Sequence, residues 1–550
     1  MRRACAAFRV AILLAAVASP AAAEEPAPTA PAALKTPVAW RTEATRLGPY
    51  RGDPSPHLHI ESSADGAHVA WATVEGDKWQ VVIDGAAGAP QYDEVSWVQL
   101  SRDGKRSAYA AKKGGKWFVV VDGRADTATY DEILWVEFSV DAKHIAYEGY
   151  NREGHKTGFY VVIDGKPGPE TGLVGDVVPS RYTVFSLDGR RWSYIVRQGR
   201  KSYMMVDGRA EAEFDDIYNH SFSPDSRRLA YVARKGSESF AVIDGEAGEA
   251  YEGVWDVRWS ADSRHTAFPA KRGGKRMVVV DGKAGPEFED MWGWADRMCR
   301  ADWRVAYIGV RAGKQLAVVD GQPGPEYDKI AWIGFSADGR RMAYGAERGG
   351  KPVIMIDGRE EPIEGDRLGT VGFSPDGARV AYEVGRGGKT AMVIDGRIGA
   401  EFDQIRGFGW SPDSRRVPYA VREGAAWRVI CDDASGPAFD AIEDMNFSPD
   451  GKRLAYLACK DGKWMVVADV PARPAAYDEI AGGLLFSDDS AHLVYRARQG
   501  TMWVMVIDGQ PGPGFDRITA TRMFLPDGSF QYFAAKEDSL YRVRHTPLER

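Results

Sequence analysis

The sequence predicts an all-β protein of about thirteen four-stranded blades, arranged as tandem β-propellers. Three observations lead there: a unit recurring every 36 to 40 residues, short apolar runs of strand length inside each unit, and glycine-rich turns between the runs. The unit reads Tyr-Asp-x-Ile, a spacer, Phe-Ser-Pro-Asp-Gly-Lys-Arg-x-Ala-Tyr, a Gly-Gly-Lys turn, then Trp-x-Val-Val-Val-Asp-Gly and Gly-Pro. Its Ser-x-Asp aspartate falls at Asp65, Asp103, Asp141, Asp188, Asp225, Asp262, Asp338, Asp376, Asp413, Asp450, Asp489 and Asp527, with a degenerate copy near Asp302 and one longer gap of 47 residues after Asp141. A second landmark, the Asp-Gly closing the valine run, keeps the same period from Asp84 to Asp508. Two landmarks in phase over most of the chain exclude chance resemblance.

Within a unit each element has a local cause. Leu134-Trp135-Val136-Glu137-Phe138-Ser139 and His144-Ile145-Ala146-Tyr147 are β-branched and aromatic runs bounded by turn residues, and read as the first and second strands. Ser-Pro-Asp-Gly joins them, its proline presetting φ and its glycine accepting φ > 0. Gly114-Gly115-Lys116 turns the second strand into the third, Trp117-Phe118-Val119-Val120-Val121, whose continuous apolar character suits a strand covered on both faces. After Asp-Gly there is room for only a short fourth strand. Three full strands and one short one in about 38 residues fit a propeller blade. No unit shows helical periodicity, and the ladders of a leucine-rich array are absent.

Propellers usually hold about 4–8 blades, so thirteen units imply two rings. The break is placed at the seventh unit, where Met291-Trp292-Gly293-Trp294-Ala295-Asp296 replaces Phe-Ser-Pro-Asp-Gly. The expected division is a six-bladed propeller over 57–290 and a seven-bladed one over 291–550. Ahead of them, residues 1–23 read as a secretory signal: Arg2 and Arg3, the apolar run Val10 to Val17, and cleavage after Ala21-Ala22-Ala23. Residues 24–56, rich in Pro and Ala, read as an extended leader that orders only near Tyr50. The expected location is the periplasm or the exterior, with no membrane span in the mature chain.

Loss of Arg2, Arg3 and Arg9 takes the net charge from −7 to −10. That balance argues against nucleic acid as a partner. Cys299, Cys431 and Cys459 remain, an odd number without metal-site spacing; buried free thiols and a Cys431–Cys459 bridge are both compatible with it.

Phe222-Ser223-Pro224-Asp225, Phe373-Ser374-Pro375-Asp376-Gly377 and Phe447-Ser448-Pro449-Asp450-Gly451-Lys452-Arg453-Leu454-Ala455-Tyr456 resemble the WD-type repeats of the TolB propeller family. The resemblance covers roughly 57–550 as a repeat. It implies that the strand ending in Phe-Ser-Pro-Asp is innermost and lines the channel, and that the valine run is third. TolB itself binds partners in the cell-envelope Tol–Pal system; this chain has about twice as many blades and no separate domain preceding them is expected, so that role does not carry over.

An aspartate required in every blade closes turns rather than doing chemistry once. Residues that the repeat leaves free are more informative. Four places before the Ser, the first strand carries Trp97, Trp135 and Trp332, with Trp255 one place further back; Trp292 and Trp294 stand in the irregular seventh unit. Facing the channel, such rings suit a sugar, a peptide or a partner's anchor residue; the competing reading makes them core wedges between blades. Breaks in the repeat at 150–156, 171–181 and 291–302 are further places for function. No Gly-x-Ser-x-Gly and no His-Glu-x-x-His occurs, and no cofactor or metal motif is recognised. The reading is a non-enzymatic binding or scaffold module for a protein or glycan of the cell envelope. The alternative is a hydrolase or lyase of an extracellular polymer using acids such as Asp256, Asp296 or Glu137.

Overall fold

Each Ser-x-Asp turn is held by its own side chains. In the second blade the Ser101 hydroxyl donates to Asp103 Oδ1 at 2.7 Å, the same oxygen accepts the Lys105 amide at 3.2 Å, and Ser101 Oγ accepts the Arg106 amide at 2.9 Å. The Ser101 hydroxyl and then the Lys105 amide hold the Asp103 carboxyl below its ordinary range. The Asp-Gly hairpin uses φ > 0 at both residues, 50° at Asp122 and 77° at Gly123, as a type I′ turn requires. Asp122 Oδ1 then accepts the Ser107 amide at the start of the second strand. The Tyr-Asp aspartate ties the crossover: Asp131 takes the Arg152 amide at 2.7 Å and the Lys116 ammonium at 2.6 Å.

These turns set the strands antiparallel in simple order, as in Glu94–Leu100, Ser107–Lys113, Lys116–Val121 and the two-residue Arg124–Ala125. The computed structural model describes residues 39–50, 60–153, 156–171, 184–293, 303–361, 363–468 and 475–548; within them the chain is all β, in thirteen sheets. Eleven sheets have four strands. The sixth has five because its first strand breaks between Val254 and Arg258, and the eleventh has three described strands.

Packing runs from blade to blade. Val119 of blade 2 shares a core with Ile133 and Tyr147 of blade 3; Val278 of blade 6 packs on Phe288 and Tyr307 of blade 7; Met505 of blade 12 packs on Phe530 of blade 13. An arginine after the Ser-x-Asp turn in most blades reinforces many of these seams. Arg341 donates to Asp357 of its own blade at 2.8 Å and to the Ala378 carbonyl of the next at 2.7 Å, and lies 5.2 Å from the centre of the Phe373 ring. Blades 1, 3, 6 and 12 carry His68, His144, His265 and His492 there, each bound to its Asp-Gly aspartate.

The expected split into six and seven blades is not shown. Apolar clusters join every consecutive pair of blades, including 6 to 7 across residue 290, and a thirteenth cluster joins Val69, Trp71 and Val82 of blade 1 to Phe533 and Leu540 of blade 13. Gln531 and Arg542 of blade 13 donate to the Gly66 and Ala67 carbonyls of blade 1 at 2.7 and 2.8 Å. The thirteen blades therefore form one propeller ring, beyond the usual blade number. With sheets about 10 Å apart and strands about 4.8 Å apart, thirteen blades set the first strands on a circle of about 14 Å radius.

The leader also differs from its expectation. Trp40–Pro49 is a ten-residue strand pairing antiparallel with Ser539–Pro547, so it becomes the outer strand of the last blade. Trp40 Nε1 donates to Asp508 Oδ2 at 3.3 Å and its ring meets His492 edge-on at 4.7 Å. The strand has no partner near it in sequence, which is why composition alone reads it as unstructured. Residues 1–38, with the secretory signal, lie outside the described residues.

Candidate functional site

The first strand of each blade is the inner edge of its sheet. Neighbouring first strands touch, and side chains bridge them: the Tyr218 hydroxyl and Asn219 amide of blade 5 donate to the Val254 and Trp255 carbonyls of blade 6 at 3.2 Å. Most of these strands lose register at their middle, as between Ile133 and Trp135, Tyr218 and Ser221, or Leu368 and Val371. Such bulges re-aim side chains and recur beside functional sites. Blade 6 carries the most pronounced interruption, at Trp255-Asp256-Val257.

The structure separates the predicted tryptophans. Trp135 is buried, 7% exposed, in the core between blades 3 and 4, and its indole donates to Glu148 Oε2 at 2.9 Å. It has no face for a ligand, so the core reading holds there. Trp97 and Trp332 are partly buried, packed against inter-blade cores, with Trp97 at φ 52° in its bulge. Trp255 and Trp292 are 40% and 41% exposed, Trp255 in the break of blade 6's first strand and Trp292 on the first strand of blade 7. Trp294, Asp296 and Cys299 lie outside the described residues, as do most of 171–181 and 291–302.

Around Trp255 the site is preorganised. Its ring lies over Gly253, where a Cβ would sit 3.4 Å from the ring edge, and the Arg276 guanidinium stands 5.5 Å from the ring centre. Arg276 reaches Asp290 of blade 7 at 3.1 Å, two residues before Trp292. Asp256 is held by Arg258 at 2.7 Å. Two exposed indoles are thus linked by a charged pair spanning one seam, near the end of the ring that carries the Gly-Gly turns. Aromatic faces with fixed hydrogen-bonding groups at their rim suit recognition of a sugar face or a partner's side chain. Sequence reasoning missed Arg276, which occupies the position that several other blades fill with the third-strand Trp, at Trp79, Trp117 and Trp427; that substitution was the available signal.

Among the described residues the acids around this site, Asp256 and Asp290, are each paired with an arginine. Asp256 faces Arg258, and Glu137 is exposed on its strand. Glu148, beneath Trp135, is 1% exposed; burial pushes its carboxyl up to about 7 against the opposing indole hydrogen bond, and its Oε1 has no partner among the described residues. No group of three or more His, Cys, Asp or Glu placed to hold a metal occurs among the described residues. Cys431 is buried and Cys459 half-buried, and both are free thiols. No helix among the described residues is long and apolar enough to cross a membrane.

No known protein family matches the chain, and no curated protein does. Solved structures share parts of it at low similarity. The β-propeller domain of the Trilobed protease from Pyrococcus furiosus, described as having an open velcro topology, aligns at 13% identity with a TM-score of 0.23, covering 48% of this chain and 94% of that one. A Dos1 propeller aligns at 10% identity and 0.26 over 60% and 91%, and an oligogalacturonate lyase in complex with manganese at 11% and 0.24 over 54% and 97%.

Proposed function

We propose that this chain is an exported, non-enzymatic binding module whose inner wall presents Trp255 and Trp292 to a protein or glycan of the cell envelope. The observation that carries the reading is the exposure of these two indoles in neighbouring blades, joined by Arg276 and Asp290, in a ring whose other large apolar groups are mostly buried. Burial of one Trp face on a partner typically contributes a large share of an interface's energy. The signal-like N-terminus and the likeness of the repeat to TolB-type propellers support the envelope location. A ring with first strands at about 14 Å radius has room for an extended polymer or a partner's loop at that wall.

The test is affinity capture from envelope extract with the mature chain as bait, beside a Trp255→Ala/Trp292→Ala double variant. The expected outcome is a ligand retained by the parent and depleted at least about tenfold in the variant, since two hot-spot rings contribute well over 1.4 kcal/mol. Equal retention by both proteins would refute the site. Because both side chains are exposed, the variant's thermal midpoint should stay close to the parent's.

A further inference from the structure

The seam between blades 6 and 7 holds a second feature, on the outer side of the ring and independent of the tryptophan pair. At the 2/3 seam the Tyr147 hydroxyl donates to Asp126 Oδ2 at 2.5 Å, and at the 4/5 seam Tyr231 donates to Glu211 Oε2 at 2.8 Å. In both, the acid stands four residues after the Asp-Gly aspartate of the preceding blade and supplies a carboxylate to a buried phenol. At the 6/7 seam the same place is Gly285, where a Cβ would lie 3.5 Å from the Tyr307 hydroxyl. Glycine is the common residue at this place, as at Gly168, Gly324, Gly399 and Gly436, each also beside the next blade's tyrosine hydroxyl; at the 6/7 seam the space that a carboxylate fills at the 2/3 and 4/5 seams is a cleft. Its volume is about 570 Å³, and Val278, Val280, Trp303, Val305 and Tyr307 are among its lining residues.

Two donors in that cleft have no acceptor among the described residues. Among the described residues neither the Tyr307 hydroxyl nor the Trp303 indole N–H, both buried, has a hydrogen-bonding partner, and Tyr307 is only 1% exposed. A buried donor left without a partner is destabilising, and an incoming acceptor removes that cost. The acids at the rim are already engaged: Asp281 with His265 at 2.8 Å and Asp320 with Arg304 at 2.9 Å. Lys283, also at the rim, forms no ion pair among the described residues.

We propose that the cleft between blades 6 and 7 is a binding site for a small organic carboxylate with an apolar body. The carboxylate takes the place of the side chains of Asp126 and Glu211 at the equivalent seams and accepts from Tyr307 and Trp303, while its body lies on the valines. The volume falls within the range of small-molecule sites. Lys283 favours an anion over a neutral ligand.

Ligand-observed NMR and calorimetry with the full chain test this, using phenylacetate as probe and phenylacetamide as its neutral counterpart. Phenylacetate should bind, the amide at least about tenfold more weakly, and Tyr307→Phe should weaken phenylacetate by about tenfold, the loss of one hydrogen bond to a charged acceptor. Gly285→Asp, which installs the internal carboxylate, should abolish binding. A Cβ there would approach the Val278 carbonyl at 2.9 Å, so Tyr307→Phe remains the decisive variant should Gly285→Asp fold poorly. Absence of phenylacetate binding, equal binding of the amide, or binding indifferent to Tyr307→Phe would each overturn the proposal. None of these outcomes bears on Trp255 or Trp292.

Discussion

Glu148 occupies a second-strand position that other blades fill with Ala72, Ala110, Ile195, Val232, Ile308 or Leu457; blades 9 and 12 also place a charge there, Glu383 and Arg496, but Glu148 is the one that accepts a hydrogen bond from a tryptophan indole. Buried beneath Trp135, the carboxyl is raised from 4.5 to about 7, chiefly by desolvation. Between those values the folded chain keeps a proton that the unfolded chain releases. Stability linked to this group is therefore complete below about 4.5 and is lost as pH rises through about 7, an effect on the order of 3 kcal/mol. Glu148→Gln retains an acceptor for the Trp135 indole and has no proton to lose. Measured from about pH 5 to about pH 8, the parent's thermal midpoint should fall relative to the variant's; parallel curves would show that Glu148 does not titrate in this range. The same pairing explains why Trp135 is core although it shares a repeat position with Trp332: opposite Trp332 stands Gly345, not an acid.

Among the elements, the strand Trp40–Pro49 decides how the ring closes. It covers the edge of Ser539–Pro547, which would otherwise present an unpaired row of backbone groups. His545 sits under this clasp, buried, with Nδ1 2.9 Å from Thr42 Oγ1 and its ring stacked on Tyr532 at 5.6 Å. Burial lowers its pKa from 6.5 to about 4, so the folded state holds a neutral ring where the unfolded chain takes a proton. The clasp's contribution is present above about 6.5 and is lost as pH falls towards about 4. Hydrogen-exchange protection of residues 40–49 should drop on acidification through that window, and less so in His545→Gln. Unchanged protection in the parent would separate His545 from closure.

For the whole molecule, a closed circuit predicts shared cooperativity. Phe288, at the 6/7 seam, and Phe533, at the 13/1 seam, are each 1% exposed. Truncation of either to Ala should cost about 3–5 kcal/mol and lower one common calorimetric transition. Two transitions, each sensitive to only one of the variants, would indicate separate rings with a boundary near residue 290 after all. A circuit without free ends also spares the molecule the capping units that open repeat arrays require.

The repeat determined the blades because every strand, turn and hairpin within a unit is specified by residues about 40 apart at most: Ser101 with Asp103, Asp122 with Ser107, Asp131 with Arg152. Blade count and strand order were legible for that reason, as was the turn-closing role of the recurrent aspartates. What joins blade 13 to blade 1, and Trp40–Pro49 to Ser539–Pro547, are contacts across almost the whole chain that leave no local pattern, so the single ring and its clasp appear only in the tertiary structure. The same holds for the candidate site. The repeat does not tell a buried first-strand tryptophan from an exposed one, and only the bulges and the neighbouring blade decide that Trp135 is buried on Glu148 while Trp255 and Trp292 stand open to solvent.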